Sequence, residues 1–251
     1  KDLTDELLQR ATGNIEKSLS RMVAKEKLTE AEKMEIMSRI NTTKIYDDVK
    51  DCVLAIEAVG ENMELKKRIF RELDEACNPD CILATNSSSL SITEIAAATK
   101  RPEKVIGMHF FNPATIMRLV EVVNTPFTSQ QTTETILQLA RQMGKTPVLC
   151  KDAPGFIVNR VARPYYIESL RLAEEGQTGF AQADRLLEAT GFRMGPFKLM
   201  DLIGNDINYA VSCSVYEQLG GPDRLKPSFI QEQKVKEGKL GKKSGEGYYI
   251  Y

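Results

Sequence analysis

Apolar positions along the chain follow two periods, and the pattern changes once. Leu7, Leu8, Ala11, Ile15, Leu19, Met22 and Val23 recur every three or four residues, which predicts an amphipathic helix over residues 3–24. Thr29-Glu30-Ala31-Glu32 is a capping box and opens a second helix to residue 40. The β-branched run 40–45 predicts a short strand, 47–50 a brief turn or helix, and CVLAIEAV at 52–59 an apolar strand. A patterned helix over 61–77 places Leu65, Ile69, Leu73 and Ala76 inward and Lys66, Lys67, Arg68 and Arg71 outward. Asn78-Pro79-Asp80 ends it, and 81–85 is the next strand. Ser91-Ile92-Thr93-Glu94 caps a helix to about residue 99. Two short apolar runs, 105–108 and 117–123, flank a bend at Asn112-Pro113. A helix over 129–143, stopped by Gly144, leads to a strand at 146–149.

This alternation of strand and helix predicts an α/β, Rossmann-like domain with a mainly parallel sheet over residues 1–152. Past Asp152-Ala153-Pro154-Gly155 only the helical period remains, over 156–175, 181–190, 199–219 and 229–237. Residues 153–251 therefore form an all-α second domain, and Pro164, lacking an N–H, should kink its first helix. The closing GKKSGEGYYIY reads as a loop and an extended tail that packs back. A dinucleotide-binding domain usually opens on a strand, a glycine-rich turn and a helix, and no G-x-G-x-x-G occurs here. Either the domain binds no dinucleotide, or its first β-α-β unit precedes Lys1.

Composition narrows the classes. The 34 Lys and Arg against 35 Asp and Glu leave a net charge of -1 and no basic tract, which argues against nucleic acid as partner. No apolar run approaches the roughly 20 residues of a membrane span, and no signal peptide opens the chain. The five scattered cysteines complete no metal site, so the expectation is a cytoplasmic protein with reduced thiols.

The chemistry centres on residues 105–123. His109 is the single histidine, and Glu121 lies in the apolar run beyond the bend. If both runs are strands, the bend brings imidazole and carboxylate together as a general acid/base unit. The alternative is a core histidine in the sheet, with Glu121 pointing to water.

Around that stretch stand EAVGEN (57–62), NSSSL (86–90), GMHFFNP (107–113), LVEV (119–122), APGFIVNR (153–160) and GKKSGEGYY (241–249). In that order, and over essentially the whole chain, they resemble the 3-hydroxyacyl-CoA dehydrogenase family, its short-chain bacterial 3-hydroxybutyryl-CoA members most of all. The resemblance implies NAD or NADP as cofactor, with NAD favoured, an acyl-CoA substrate and a homodimer joined through the helical domain. His109 matches the family's catalytic histidine, Glu121 the carboxylate that orients it, and Ser88 the serine on the reacting oxygen. Asn159 matches the asparagine that reaches the acyl group. Glu61, Lys66, Ser88, Asn112 and Lys243 fall on cofactor-contacting positions, and Ser18 and Lys25 on the CoA-contacting helix pair. Three departures stand out: Thr115 for a frequent second proline, Asn205 for a usual leucine, and the missing glycine-rich start. That last departure also admits another class, a non-catalytic acyl-CoA-binding or structural protein on the same fold.

Overall fold

The structure, a computed structural model, describes all residues, Lys1–Tyr251. Two helices come first, α1 (Asp5–Val23) and α2 (Glu30–Ser38). Thr29 closes the expected capping box on Glu32. The run 40–45 forms no strand. Thr43 uses its hydroxyl locally, accepting from Ile45 N and donating to Asp48, so side-chain bonding replaces a sheet ladder.

The sheet has five strands in sequential order: β1 (Leu54–Glu57), β2 (Ile82–Thr85), β3 (Val105–Phe110), β4 (Leu119–Asn124) and β5 (Thr146–Lys151). Strands β1, β2 and β3 run parallel, β3 and β4 antiparallel, and β4 and β5 parallel. The sheet is thus mainly parallel, and the bend at Asn112-Pro113, whose peptide is cis, inserts the one hairpin. Helices α3 (Met63–Ala76) and α4 (Ile92–Ala96) bury one apolar cluster with Phe70, Leu83, Ile92, Ile95 and Val123. Helix α5 (Gln130–Gln142) covers a second around Ile106, Met108, Val120 and Ile136. Burial on both faces is why these strands read as continuous apolar runs rather than alternating ones.

The helical part comprises α6 (Val158–Glu174), α7 (Phe180–Ala189), α8 (Pro196–Ile203), α9 (Asn205–Gln218) and α10 (Phe229–Lys236). Helix α6 runs through Pro164 without a break. The single helix expected over 199–219 is two, divided at Gly204, whose φ of 105° is outside helical space. Along α9 Val215 is fully buried with Ile167 and Leu225, while Ile207, next to the break, stays 52 % exposed. The tail packs back as expected, and Asp201 is what holds it. Its carboxylate accepts from Tyr248 N, Tyr249 N and the Tyr251 hydroxyl. Asn205, the departure at the α8–α9 break, is fully buried and donates to Asp201 and to Lys239 O, so it serves the same clasp.

Candidate active site

His109 and Glu121 are register partners across the antiparallel β3–β4 pair, so their side chains share one face of the sheet. Nδ1 of His109 lies 2.8 Å from Oε2 of Glu121, and the two side chains are 6 % and 1 % exposed. Glu121 does not point to water. Its other oxygen, Oε1, accepts the backbone N–H groups of Ile157 (3.0 Å) and Val158 (2.9 Å). These belong to the start of α6, whose free N–H donors and positive dipole end favour an anion. Gly155 and Phe156 take positive φ, 72° and 47°, and that turn aims the donors. It also starts the helix two residues later than the periodicity suggests.

Burial alone would raise the Glu121 carboxyl. The hydrogen bonds from His109, Val158 and Ile157 outweigh it and hold the group below the usual carboxylate range. An ionised Glu121 requires Nδ1 of the imidazole to carry the proton that it donates. Nε2, which has no protein partner, is then left with its lone pair. The rings of Phe111 (4.6 Å) and Phe156 (5.8 Å) flank the imidazole. A sheet-held imidazole with one nitrogen bonded to a carboxylate and the other unoccupied can accept or deliver one proton.

The loop after β2 forms the next wall. Asn86 accepts from Phe110 N with its Oδ1, tying the loop to the end of β3. Glu61 Oε1 then gathers the Ser87 hydroxyl (2.5 Å), Ser88 N (2.7 Å) and Ser89 N (2.9 Å). Burial pushes Glu61 up, but these donors and Lys66 pull it down further, so it too is held below its ordinary value. Of the three serines, Ser87 and Ser89 spend their hydroxyls on Glu61, while the Ser88 hydroxyl has no partner. From the helical side, Asn159 Nδ2 donates to Ser88 O (3.2 Å) and Gln218 Nε2 to Ser89 O (2.8 Å).

Lys66 is not on the outer face of α3. It is 1 % exposed, and its ammonium lies 2.7 Å from Glu57 and 3.5 Å from Glu61. Glu57 also accepts from Val59 N and the Thr85 hydroxyl, and Thr85 in turn accepts from Ser87 N. The inward face of α3 is therefore Lys66, Phe70, Leu73 and Asp74 rather than a purely apolar stripe. Glu57 escaped the sequence reading, although the charge closing an apolar strand nine residues before a lysine was a visible signal.

The remaining expected site residues make no hydrogen bond to the dyad. Asn112 is exposed in the β3–β4 bend. Lys243 pairs with Asp206 at the α8–α9 break, 2.6 Å away, and bonds to none of the residues around His109. Ser18 is on α1 and Lys25 in the turn after it, and neither side chain makes a hydrogen bond to the cleft. A groove of about 510 Å³ between α4 and α9 is lined by Leu90, Glu94, Ala210, Cys213 and Gln218, and His109 does not reach it. No group of His, Cys, Asp and Glu side chains is arranged to hold a metal ion.

Comparison with known proteins gives this geometry its relatives. The sequence model of the 3-hydroxyacyl-CoA dehydrogenase NAD binding domain matches residues 1–153, and that of its C-terminal domain matches residues 155–251. The chain is 40 % identical to a 3-hydroxybutyryl-CoA dehydrogenase of Clostridioides difficile, over 100 % of its own length and 89 % of the relative's. It is 45 % identical to a 3-hydroxyadipyl-CoA dehydrogenase of Escherichia coli, of which it spans about half, 52 %. The crystal structure of (S)-3-hydroxybutyryl-CoA dehydrogenase from Ralstonia eutropha superposes with a TM-score of 0.95 at 37 % identity, covering 100 % of this chain and 88 % of that one. With both parts matched and the sheet, hairpin and helical partner in place, the chain belongs to the 3-hydroxyacyl-CoA dehydrogenase family.

Proposed function

We propose that this protein interconverts 3-hydroxyacyl-CoA and 3-oxoacyl-CoA, with a short acyl chain of the 3-hydroxybutyryl and acetoacetyl type. The His109–Glu121 pair carries the reading: a buried imidazole, oriented by an ionised carboxylate, with Nε2 free. Nε2 of His109 takes the proton of the 3-hydroxyl in oxidation and returns it in reduction. Glu121 fixes the tautomer and stabilises the imidazolium that forms. Ser88, with the one uncommitted hydroxyl of its loop, positions the reacting oxygen, and Asn159 holds the acyl group from α6.

A nicotinamide suits the crevice beyond the carboxyl ends of β1, β2 and β3, where Glu61, Ser88 and Asn112 are the polar groups on offer. When bound, the nicotinamide supplies or accepts the hydride at C3. NAD is our preferred cofactor over NADP. Lys66, enclosed by two carboxylates, serves the cofactor side by anchoring Glu61. Lys243 would join the cofactor site from its exposed position, and exposed Lys25 and half-buried Ser18 the CoA site. Residues 1–152 form the cofactor domain in this reading, and 153–251 the substrate and dimer domain. Leu202, Ile203 and Ile207, all exposed beside the α8–α9 break, offer the apolar surface for a homodimer. No helix is long and apolar enough to cross a membrane, and we place the enzyme in the cytoplasm. Retained catalytic parts favour the dehydrogenase over a binding module.

The deciding assay is acetoacetyl-CoA-dependent oxidation of NADH. His109→Ala is expected to lower kcat by about 10²- to 10⁴-fold, and unchanged turnover would overturn the mechanism.

A further inference from the structure

The loop that carries Ser88 is held from two sides. On the sheet side, Glu61 Oε1 collects the Ser87 hydroxyl, Ser88 N and Ser89 N. On the far side lie two carbonyls, Ser88 O and Ser89 O, and neither meets a backbone N–H. Each takes one side-chain amide from the helical part: Asn159 Nδ2 of α6 reaches Ser88 O at 3.2 Å, and Gln218 Nε2 of α9 reaches Ser89 O at 2.8 Å. A peptide group is planar, so hydrogen bonds on its opposite edges fix the direction of the whole unit. Asn159 and Glu61 pin the Ser88–Ser89 peptide in this way. Gln218 pins the next one, together with the Ser87 hydroxyl, which accepts from Leu90 N at 3.2 Å. The two peptides that follow Ser88 are therefore locked, and with them the direction of its uncommitted hydroxyl.

The two amides are themselves held at a fixed spacing. Arg163, 2 % exposed, donates from Nε to Asn159 O (3.0 Å) and from Nη1 to Asn208 O (3.0 Å) and Ser212 Oγ (2.9 Å), which braces α6 against α9. Gln218 is the last residue of α9, and its Nε2 also donates to Ser214 Oγ, one turn back, at 2.7 Å. An exposed glutamine ordinarily keeps its rotamer freedom, and this one has given it up to two acceptors. It forms no other hydrogen bond in the site, whereas Asn159 doubles as the acyl contact. Gln218 also borders the groove between α4 and α9, which Leu90 lines as well. Without the amide, water from that groove would answer Ser89 O at little cost to stability but would impose no direction on it.

Resting on the dehydrogenase reading, we propose that Gln218 is a positioning residue for the reaction, aiming the Ser88 hydroxyl at the reacting oxygen by holding Ser89 O from the helical part. During reduction that oxygen gains negative charge towards the transition state, so the bond from Ser88 strengthens there. A misdirected hydroxyl then lowers kcat and leaves KM in place.

The test follows NADH oxidation with acetoacetyl-CoA by the full chain. Gln218→Leu is expected to lower kcat by roughly 3- to 10-fold, the worth of one ordinary hydrogen bond. KM for both substrates should stay within about twofold. Gln218→Glu, of the same shape but without a donor when ionised, should lose as much above neutral pH. The deciding arm is the Ser88→Ala background, where a residue that works through Ser88 has nothing left to aim. There Gln218→Leu should change kcat by less than about twofold. An unchanged kcat in Gln218→Leu overturns the assignment, as does the same fold loss in both backgrounds, which marks a merely structural side chain. Absence of turnover by the native chain would instead overturn the dehydrogenase reading beneath it.

Discussion

Lys66 shows how far single side chains could be read. Helical spacing put it among Lys67, Arg68 and Arg71 on the wet face of α3, because a lone lysine defaults to solvent. Its burial follows from Glu57 and Glu61, which pair with it from β1 and the following loop, and from Thr85 of β2, which donates to Glu57; no spacing rule brings those three together. His109, Glu121 and Ser88 were legible for the opposite reason, since each stands within its own short motif. The identity of the one free hydroxyl in Ser87-Ser88-Ser89, however, depends on where Glu61 points. A double-mutant cycle tests the Lys66 arrangement. Lys66→Met alone should cost about 3–5 kcal/mol by stranding buried carboxylates. In Glu57→Gln/Lys66→Met the loss should fall short of the sum of the singles by roughly 1–3 kcal/mol, as urea unfolding will show. Strict additivity would mean Glu57 and Lys66 are not coupled.

At the scale of elements, periodicity placed every strand of the sheet and the helices of both parts. It failed at 40–45 and at Gly204, two places where backbone conformation outweighs side-chain pattern. At the first, a threonine bonds its own neighbourhood, and at the second a glycine at positive φ starts a new helix. Gly107 is a third glycine position with a physical demand. A Cβ there would come within 2.2 Å of Ile92 Cδ1 and 2.7 Å of Val123 Cβ, so α4 packs against β3 only because the side chain is missing. Gly107→Ala is expected to cost about 1–3 kcal/mol through overpacking, two residues from His109. The urea midpoint should fall with an unchanged m value, and a wild-type midpoint would show that α4 has room to move.

For the whole molecule, Glu121 and Glu61 are two carboxylates that tie separate elements together, and both are held below the ordinary value of 4.5. A carboxylate with a lowered folded-state pKa binds fewer protons in the fold than in the unfolded chain. It therefore contributes stability that is complete above pH 4.5 and is lost as pH falls through the lowered value. The melting temperature should hold level from neutral pH to about 4.5 and then drop, and Glu121→Gln should soften the drop. An equally steep fall in the variant would place the acid-sensitive charge elsewhere. This coupling was hidden in the sequence, because Ile157 and Val158 contribute backbone rather than side chains to Glu121.

Those two N–H donors bear on how this family can be recombined. The seam between sheet and helical part falls between a carboxylate on one side and two peptide groups on the other. Every residue but proline carries such a donor, so a helical part grafted from a relative need not match any side chain to satisfy Glu121. It must only reproduce the left-handed turn at Gly155 and Phe156 that aims the donors. The junction is thus permissive in sequence and strict in length, and one residue inserted between 152 and 158 should do more damage to a chimaera than many substitutions around it.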